Sequence, residues 1–269
     1  MSVPTPHGPA LAIIGGSGFT TFSELEKVRQ IPGIETPYGI PSGPLLRGCL
    51  YNREVVFLAR HGVGHTLPPH RINYRANLWA LREAGACQVL AINAVGGIHH
   101  DLGPERIAVP DQIIDYTADR AHTFFDASGP EAQAGSLAAQ RGGMIGVTHI
   151  DFTEPYCEQL REQILAAADE IQLNVYRSGT YGATQGPRLE TRAEIDRMER
   201  DGCHMVGMTG MPEAALAREI GLCYACCAIV VNWAAGRGGT PIELVEIERV
   251  LGVAMDKLKS LIEPLLRRL

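Results

Sequence analysis

Two short stretches of this 269-residue chain carry side chains suited to reading a flat, hydrogen-bonding ligand. Thr184–Glu194 offers a carboxylate, Glu190, just ahead of an expected helix, and Val231-Asn232-Trp233-Ala234 offers an amide at the end of a buried apolar run. A carboxylate only accepts hydrogen bonds, whereas an amide both donates and accepts. Brought into one plane, the pair matches the edge of a 6-oxopurine. Glu190 takes the ring N–H, and Asn232 serves N7 and the 6-oxo group.

Four further motifs offer groups for an anion or a sugar. Gly15-Gly16-Ser17-Gly18 fits either a bare turn or a cradle in which backbone N–H groups and a hydroxyl converge on a phosphate. Arg60-His61-Gly62-Val63-Gly64-His65 closes an apolar run. Its guanidinium presents a fork of donors that suits phosphate oxygens. His61 and His65 fit phosphate or ribose contact, a structural role, or metal ligation, although Gly62 and Gly64 argue against the rigid helical face that a metal pair needs. Asn93-Ala94-Val95-Gly96-Gly97 reads as a strand-to-loop turn where a flat ligand can approach the backbone. Met208-Thr209-Gly210-Met211-Pro212-Glu213 places a hydroxyl at a helix start, where N–H groups favour an anion, and a methionine that suits either a sugar face or the core.

These motifs need elements to hold them. Leu11–Ile14, Glu54–Arg60, Cys87–Val95, Cys203–Met208 and Leu222–Val231 read as strands. So does Ile107–Ile114, with Pro110 as a bulge or edge. Continuous apolar runs suit a sheet covered on both faces. Helical stripes are expected over His70–Glu83, Thr153–Glu170 and Pro212–Glu219, and from about Ile242 to the end. Thr191-x-x-Glu194 and Thr240-x-x-Glu243 read as capping boxes, with Pro241 in the first helical turn. Tyr116–Gly146 is polar, glycine-rich and irregular. The alternation predicts an α/β fold in which a central mixed β-sheet is flanked by helices, with residues 1–10 a flexible N-terminus and 11–269 one domain.

Composition narrows the classes. Apolar residues make up 45% and charged residues 20%, as in an ordinary globular protein, and the net charge of -6 argues against a general nucleic-acid binder. No apolar stretch suits a membrane span or the core of a signal peptide, so a cytoplasmic location is expected. Seven cysteines, an odd count, are expected as reduced thiols, with Cys223, Cys226 and Cys227 as small core residues.

Taken in order, the motifs resemble those of the trimeric purine nucleoside phosphorylases, and most closely the methylthioadenosine/methylthioinosine phosphorylase branch. The likeness runs from Ile13-Ile14-Gly15-Gly16-Ser17-Gly18 to Glu248-Arg249-Val250-Leu251 and includes Arg60-His61-Gly62-x-x-His65-Thr66 and Asn73–Leu81. The resemblance implies phosphate contacts from Ser17, Arg60, His61, Asn93, Ala94 and Thr209. It implies Met208 under a ribose, and Ala94, Leu189 and Val206 around the purine. His149 matches a position given to the neighbouring subunit's site, which implies a homotrimer. Inorganic phosphate would be a co-substrate, with no metal, organic cofactor or protein nucleophile.

The chain departs from the methylthioadenosine pattern where that pattern has two aspartates, at Asn232 and Ala234. Ala234 can accept nothing, and Glu190 would face a lone pair of adenine N1. Such an unmatched buried polar contact costs roughly 1–3 kcal/mol, and more for a charge. At the 5′ end, Ile247 stands where inosine/guanosine phosphorylases carry a histidine, and no histidine follows His204. The expectation is reversible phosphorolysis of 5′-methylthioinosine to hypoxanthine and 5-methylthioribose 1-phosphate. The rivals are inosine/guanosine phosphorolysis, relaxed methylthioadenosine phosphorolysis, a nicotinamide-dependent oxidoreductase and a non-catalytic nucleoside binder.

Overall fold

The computed structural model describes residues 11–16, 24–32, 34–125, 148–239 and 241–269. Residues 1–10, Ser17, Thr240 and the larger part of the expected insertion lie outside the described residues. Among the described residues ten strands form one mixed sheet. Its centre is β1 (Leu11–Gly15), β4 (Arg53–Ala59), β5 (Gln88–Gly97) and β10 (Cys223–Trp233), paired in parallel as β4-β1-β5-β10. β9 (Cys203–Gly207) runs antiparallel to the end of β5, and β8 (Thr180–Ala183) and β7 (Gln112–Asp115) continue outward from it in parallel. On the other side, β3 (Leu46–Leu50) and β2 (Glu26–Gln30) add an antiparallel edge to β4.

Helices cover both faces. Alternate residues of β1 face opposite ways, as a pleat dictates. Ala12 and Ile14 pack with α1 (Tyr74–Glu83) and α4 (Gly210–Glu219), whereas Leu11 and Ile13 pack with α2 (Glu158–Glu170) and α5 (Leu244–Arg268). A smaller cluster joins Ile195 and Met198 of α3 (Arg192–Arg200) to Val206 and Ala234. No helix of the described residues is long and apolar enough to cross a membrane.

Several elements differ from expectation, each for a local reason. The apolar stripe beginning at His70 becomes α-helix only at Tyr74, because the Asn73 side chain accepts from the Ala76 N–H and caps the helix there. The stripe from Thr153 starts its helix at Glu158. Pro155 disfavours helical geometry at the residue before it. Pro110 divides the expected strand over 107–114 into β6 (Ile107–Ala108), which pairs with β10, and β7, which pairs with β8. Thr240, one half of the expected box at the last helix, lies outside the described residues; the helix begins at Leu244 with an extended Glu243 as its N-cap, so Pro241 precedes it. The box at Thr191 forms in full. The expectation of reduced cysteines is also corrected: Cys157 and Cys223 form a disulfide that ties the start of α2 to the start of β10. Cys226 and Cys227 are buried free thiols, as expected.

Candidate active site

A cavity of about 430 Å³ opens where β4, β5, β9 and β10 deliver their ends. Arg60, His61, Ala94, Leu189, Glu190, Val206, Met208, Thr209, Asn232, Ala234 and Ile247 all line it. Glu190 and Asn232, 42 positions apart by numbering, therefore share one wall system.

Sheet register explains how the wall carrying Asn232 is built. Across the sheet, Gly96 of β5 stands between Asn232 of β10 and Val206 of β9. A methyl group on Gly96 would lie 3.3 Å from Val206 Cγ1 and 3.4 Å from Asn232 Nδ2, so a larger side chain there would crowd the cavity. The pairing of β10 with β5 shifts between Val230 and Asn232, leaving Val231 as an extra residue. Neighbouring strand residues normally point to opposite faces, and a bulge re-aims them. Val231 and Asn232 consequently both line the cavity. Gly97, by contrast, serves packing, because a methyl group there would meet the Leu102 carbonyl oxygen at 1.8 Å.

Asn232 Nδ2 donates one hydrogen to the Trp233 carbonyl at 2.6 Å, which fixes the amide plane. Among the described residues a second N–H and Oδ1 remain without a partner and can serve a ligand. Glu190 is half-buried, and its Oε1 accepts from Thr184 Oγ1 at 2.6 Å. Among the described residues no hydrogen bond occupies its Oε2.

The end expected to hold an anion is built differently from the sequence expectation. Arg60 follows β4 and is fully buried. Its Nε and Nη2 donate to Glu213 at 2.7 and 2.9 Å, Nη2 also donates to Asn93 Oδ1 at 3.2 Å, and Nη1 donates to the Ile92 carbonyl at 2.9 Å. A guanidinium has five N–H donors. Among the described residues four are taken, so Arg60 offers the cavity one N–H of Nη1 rather than an open fork. The Glu213 carboxylate holds the guanidinium pKa above its ordinary value against the opposing effect of burial. Gly16 lets the chain pass this group closely, since a methyl group there would meet Ile92 O at 2.4 Å and Arg60 Nη1 at 3.0 Å.

His61 Nδ1 lies 2.8 Å from the Leu67 carbonyl, which can only accept, so Nδ1 carries the proton. Burial, reinforced by the charge of Arg60, lowers the ring pKa to about 4. At neutral pH Nε2 is therefore an unprotonated acceptor, suited to a P–OH group. The His65 ring stacks on His61 at 4.4 Å, which sets the faces together instead of converging their lone pairs on an ion.

Asn93 does not line the cavity. Its amide accepts from Arg60 and donates to Thr209 Oγ1 at 2.8 Å, holding two wall residues from behind. His149 is exposed and does not line the cavity of its own chain. Ser17 falls outside the described residues.

Glu213, Tyr224 and Arg120 were not anticipated as parts of the site. Glu213 is fully buried and also accepts from Tyr224 Oη at 2.8 Å. Its signal was present: it is the sole charge in Gly210–Ala217, and a buried carboxylate calls for a cation.

Comparison with known proteins places this geometry. Residues 10–267 match the family described as the phosphorylase superfamily. The chain belongs to that family. It is 51% identical over 259 residues to a probable S-methyl-5′-thioinosine phosphorylase of Xanthomonas campestris, covering 96% of this chain and 97% of that relative. It is 42% identical over 254 residues to a probable 6-oxopurine nucleoside phosphorylase of Thermococcus kodakarensis, covering 94% of this chain and 90% of that one. A solved methylthioadenosine phosphorylase from Schistosoma mansoni, in complex with adenine, superposes with a TM-score of 0.86 at 32% identity, covering 97% and 91% of the two chains. As a phosphorylase-superfamily member, the chain has the α/β architecture expected of it and is an enzyme of the nucleoside phosphorylase type.

Proposed function

We propose that the protein catalyses reversible phosphorolysis of S-methyl-5′-thioinosine to hypoxanthine and 5-methylthioribose 1-phosphate. The observation that carries this reading is the meeting of Glu190 and Asn232 in one cavity, with the methyl side chain of Ala234 beside them. Glu190 Oε2 accepts from N1–H of a 6-oxopurine. The free N–H and Oδ1 of Asn232 serve the 6-oxo group and N7. Ile242 and Ile247 give the wall apolar surface, which suits a methylthio group. Burying one such group is worth on the order of 1–2 kcal/mol.

In the reaction the C1′–N9 bond breaks first, and its electron pair goes to the purine. Asn232 steadies that charge as N7 takes up a proton from water, with Oδ1 accepting the new N7–H. Phosphate then attacks C1′ of the cationic sugar and forms the new C–O bond. Arg60 Nη1, Thr209, Ala94, Ser17 and neutral His61 hold the phosphate, and Asn93 fixes Arg60 and Thr209 in place. Their contribution is positioning and preorganised electrostatics. Inorganic phosphate is the co-substrate, and no organic cofactor or metal takes part. The working unit is a cytoplasmic homotrimer in which His149 reaches a neighbour's cavity.

A second reading, phosphorolysis of inosine or guanosine, draws support from the 6-oxopurine phosphorylase relative. It shares the base contacts and differs at the 5′ end. A panel of methylthioinosine, methylthioadenosine, inosine, guanosine and adenosine, run with and without phosphate, separates these readings. Phosphate-dependent release of hypoxanthine, fastest from methylthioinosine, is expected. Preference for methylthioadenosine, or turnover without phosphate, would contradict the proposal.

A further inference from the structure

Arg120 lies in the irregular segment after β7, 8% exposed. Among the described residues it has no carboxylate partner. Its donors are spent instead on fixed acceptors from three parts of the chain. Nε donates to Gln185 Oε1 at 3.0 Å, and Nη2 donates to the Thr184 and Gln185 carbonyls at 3.1 and 2.8 Å. Nη1 donates to the Met208 and Met211 carbonyls at 2.8 and 2.6 Å and lies 3.3 Å from Tyr74 Oη.

A buried cation without a counter-charge is a costly way to fill space. What it supplies here is geometry. Thr184, gripped through its carbonyl, holds Glu190 Oε1 through its hydroxyl. Met208, gripped through its carbonyl, lines the cavity. Tyr74 in turn donates to the carbonyl of Pro69, another lining residue. One planar group thus sets the spacing between the base-reading loop and the loop that carries Met208 and Thr209. No neutral side chain has five donors in such a fork, and lysine has three on a point charge.

We infer that Arg120 is a positioning residue for base selection, which touches no substrate and holds Glu190 at a fixed distance from Met208. This rests on the phosphorolytic reading above. Its test is Arg120→Met, with Arg120→Lys read by the same criteria should the methionine variant not fold. The first readout is the ratio of kcat/KM for methylthioinosine over methylthioadenosine, relative to wild type. The second is amide hydrogen exchange in peptides spanning 184–190 and 206–211.

The ratio is expected to fall by about tenfold. Exchange should rise in both peptides, and added guanidinium at millimolar concentration should recover part of the ratio in the methionine variant. An unchanged ratio, with both substrates losing activity in proportion, would overturn the inference, as would unchanged exchange in the two loops. The wild-type arm reports separately on the proposed reaction. If wild type prefers the 6-amino substrate, that reading fails, while the exchange measurement still decides whether Arg120 holds the loops.

Discussion

Replacing Glu213 with alanine would leave the Arg60 guanidinium buried without its counter-charge. The two side chains are 0% and 1% exposed and share two hydrogen bonds, and Tyr224 adds a third to the same carboxylate. Removing one partner of a buried pair costs about 3–5 kcal/mol. The stranded Tyr224 hydroxyl adds about 1–3 kcal/mol. Both losses arise from one carboxylate and are not additive, so a net cost of about 4 kcal/mol is expected. Against a typical stability of about 5–15 kcal/mol, that is a large fraction. Glu213→Gln keeps the volume and one accepting oxygen, so it should lose about 1.5–3 kcal/mol, the worth of a charged hydrogen bond. Urea denaturation at fixed protein concentration measures both values. The KM for phosphate should rise in both variants, because Arg60 Nη1 is no longer aimed. A Glu213→Ala protein within about 1 kcal/mol of wild type would refute the view that this pair anchors the anion end.

Three other perturbations probe separate parts of the account. Asn232→Asp combined with Ala234→Asp should move the kcat/KM ratio toward methylthioadenosine by about tenfold or more, and an unchanged ratio would count against the base assignment. The folded His61 pKa of about 4 lies below the ordinary 6.5, so the unfolded chain takes the proton first as pH falls. Stability from this residue should be complete above pH 6.5 and drain away between 6.5 and 4, by up to roughly 3 kcal/mol. Urea midpoints at pH 7, 5.5 and 4.5 should therefore drop less for His61→Gln than for wild type, whereas equal drops would contradict the argument. The Cys157–Cys223 bond closes a sequence separation of 66, so the double serine variant should lose about 2–4 kcal/mol in thermal or urea melts. Insensitivity of the wild-type melting temperature to reductant would show that the bond contributes nothing.

The sheet centre was readable because its strands are buried on both faces and spell out continuous apolar runs, as in Leu11–Ile14 and Leu222–Val231. β2 escaped because Glu-Lys-Val-Arg-Gln is an edge strand exposed at every residue, with no pattern to betray it. β8 escaped because Thr-Tyr-Gly-Ala is only four residues long, too short to show an alternation. Within the site, the residues that face the cavity announced themselves by type and by position at strand ends. The groups that hold them did not. Glu213 meets Arg60 across 153 positions, and Arg120 reaches Met211 across 91. Local periodicity carries no trace of such partners, although a lone charge within an apolar helix is a clue. The Cys157–Cys223 pair was hidden for the same reason, since Cys223 alone looks like any small residue entering a core strand.

Direct binding of free bases tests the central claim, because it isolates base reading from the sugar and from turnover. Titration calorimetry of hypoxanthine and of adenine, in the presence of phosphate, should show hypoxanthine binding at least about tenfold more tightly, and Glu190→Gln should erase most of that difference. Equal affinities in the wild-type protein, or a preference that survives Glu190→Gln intact, would contradict it.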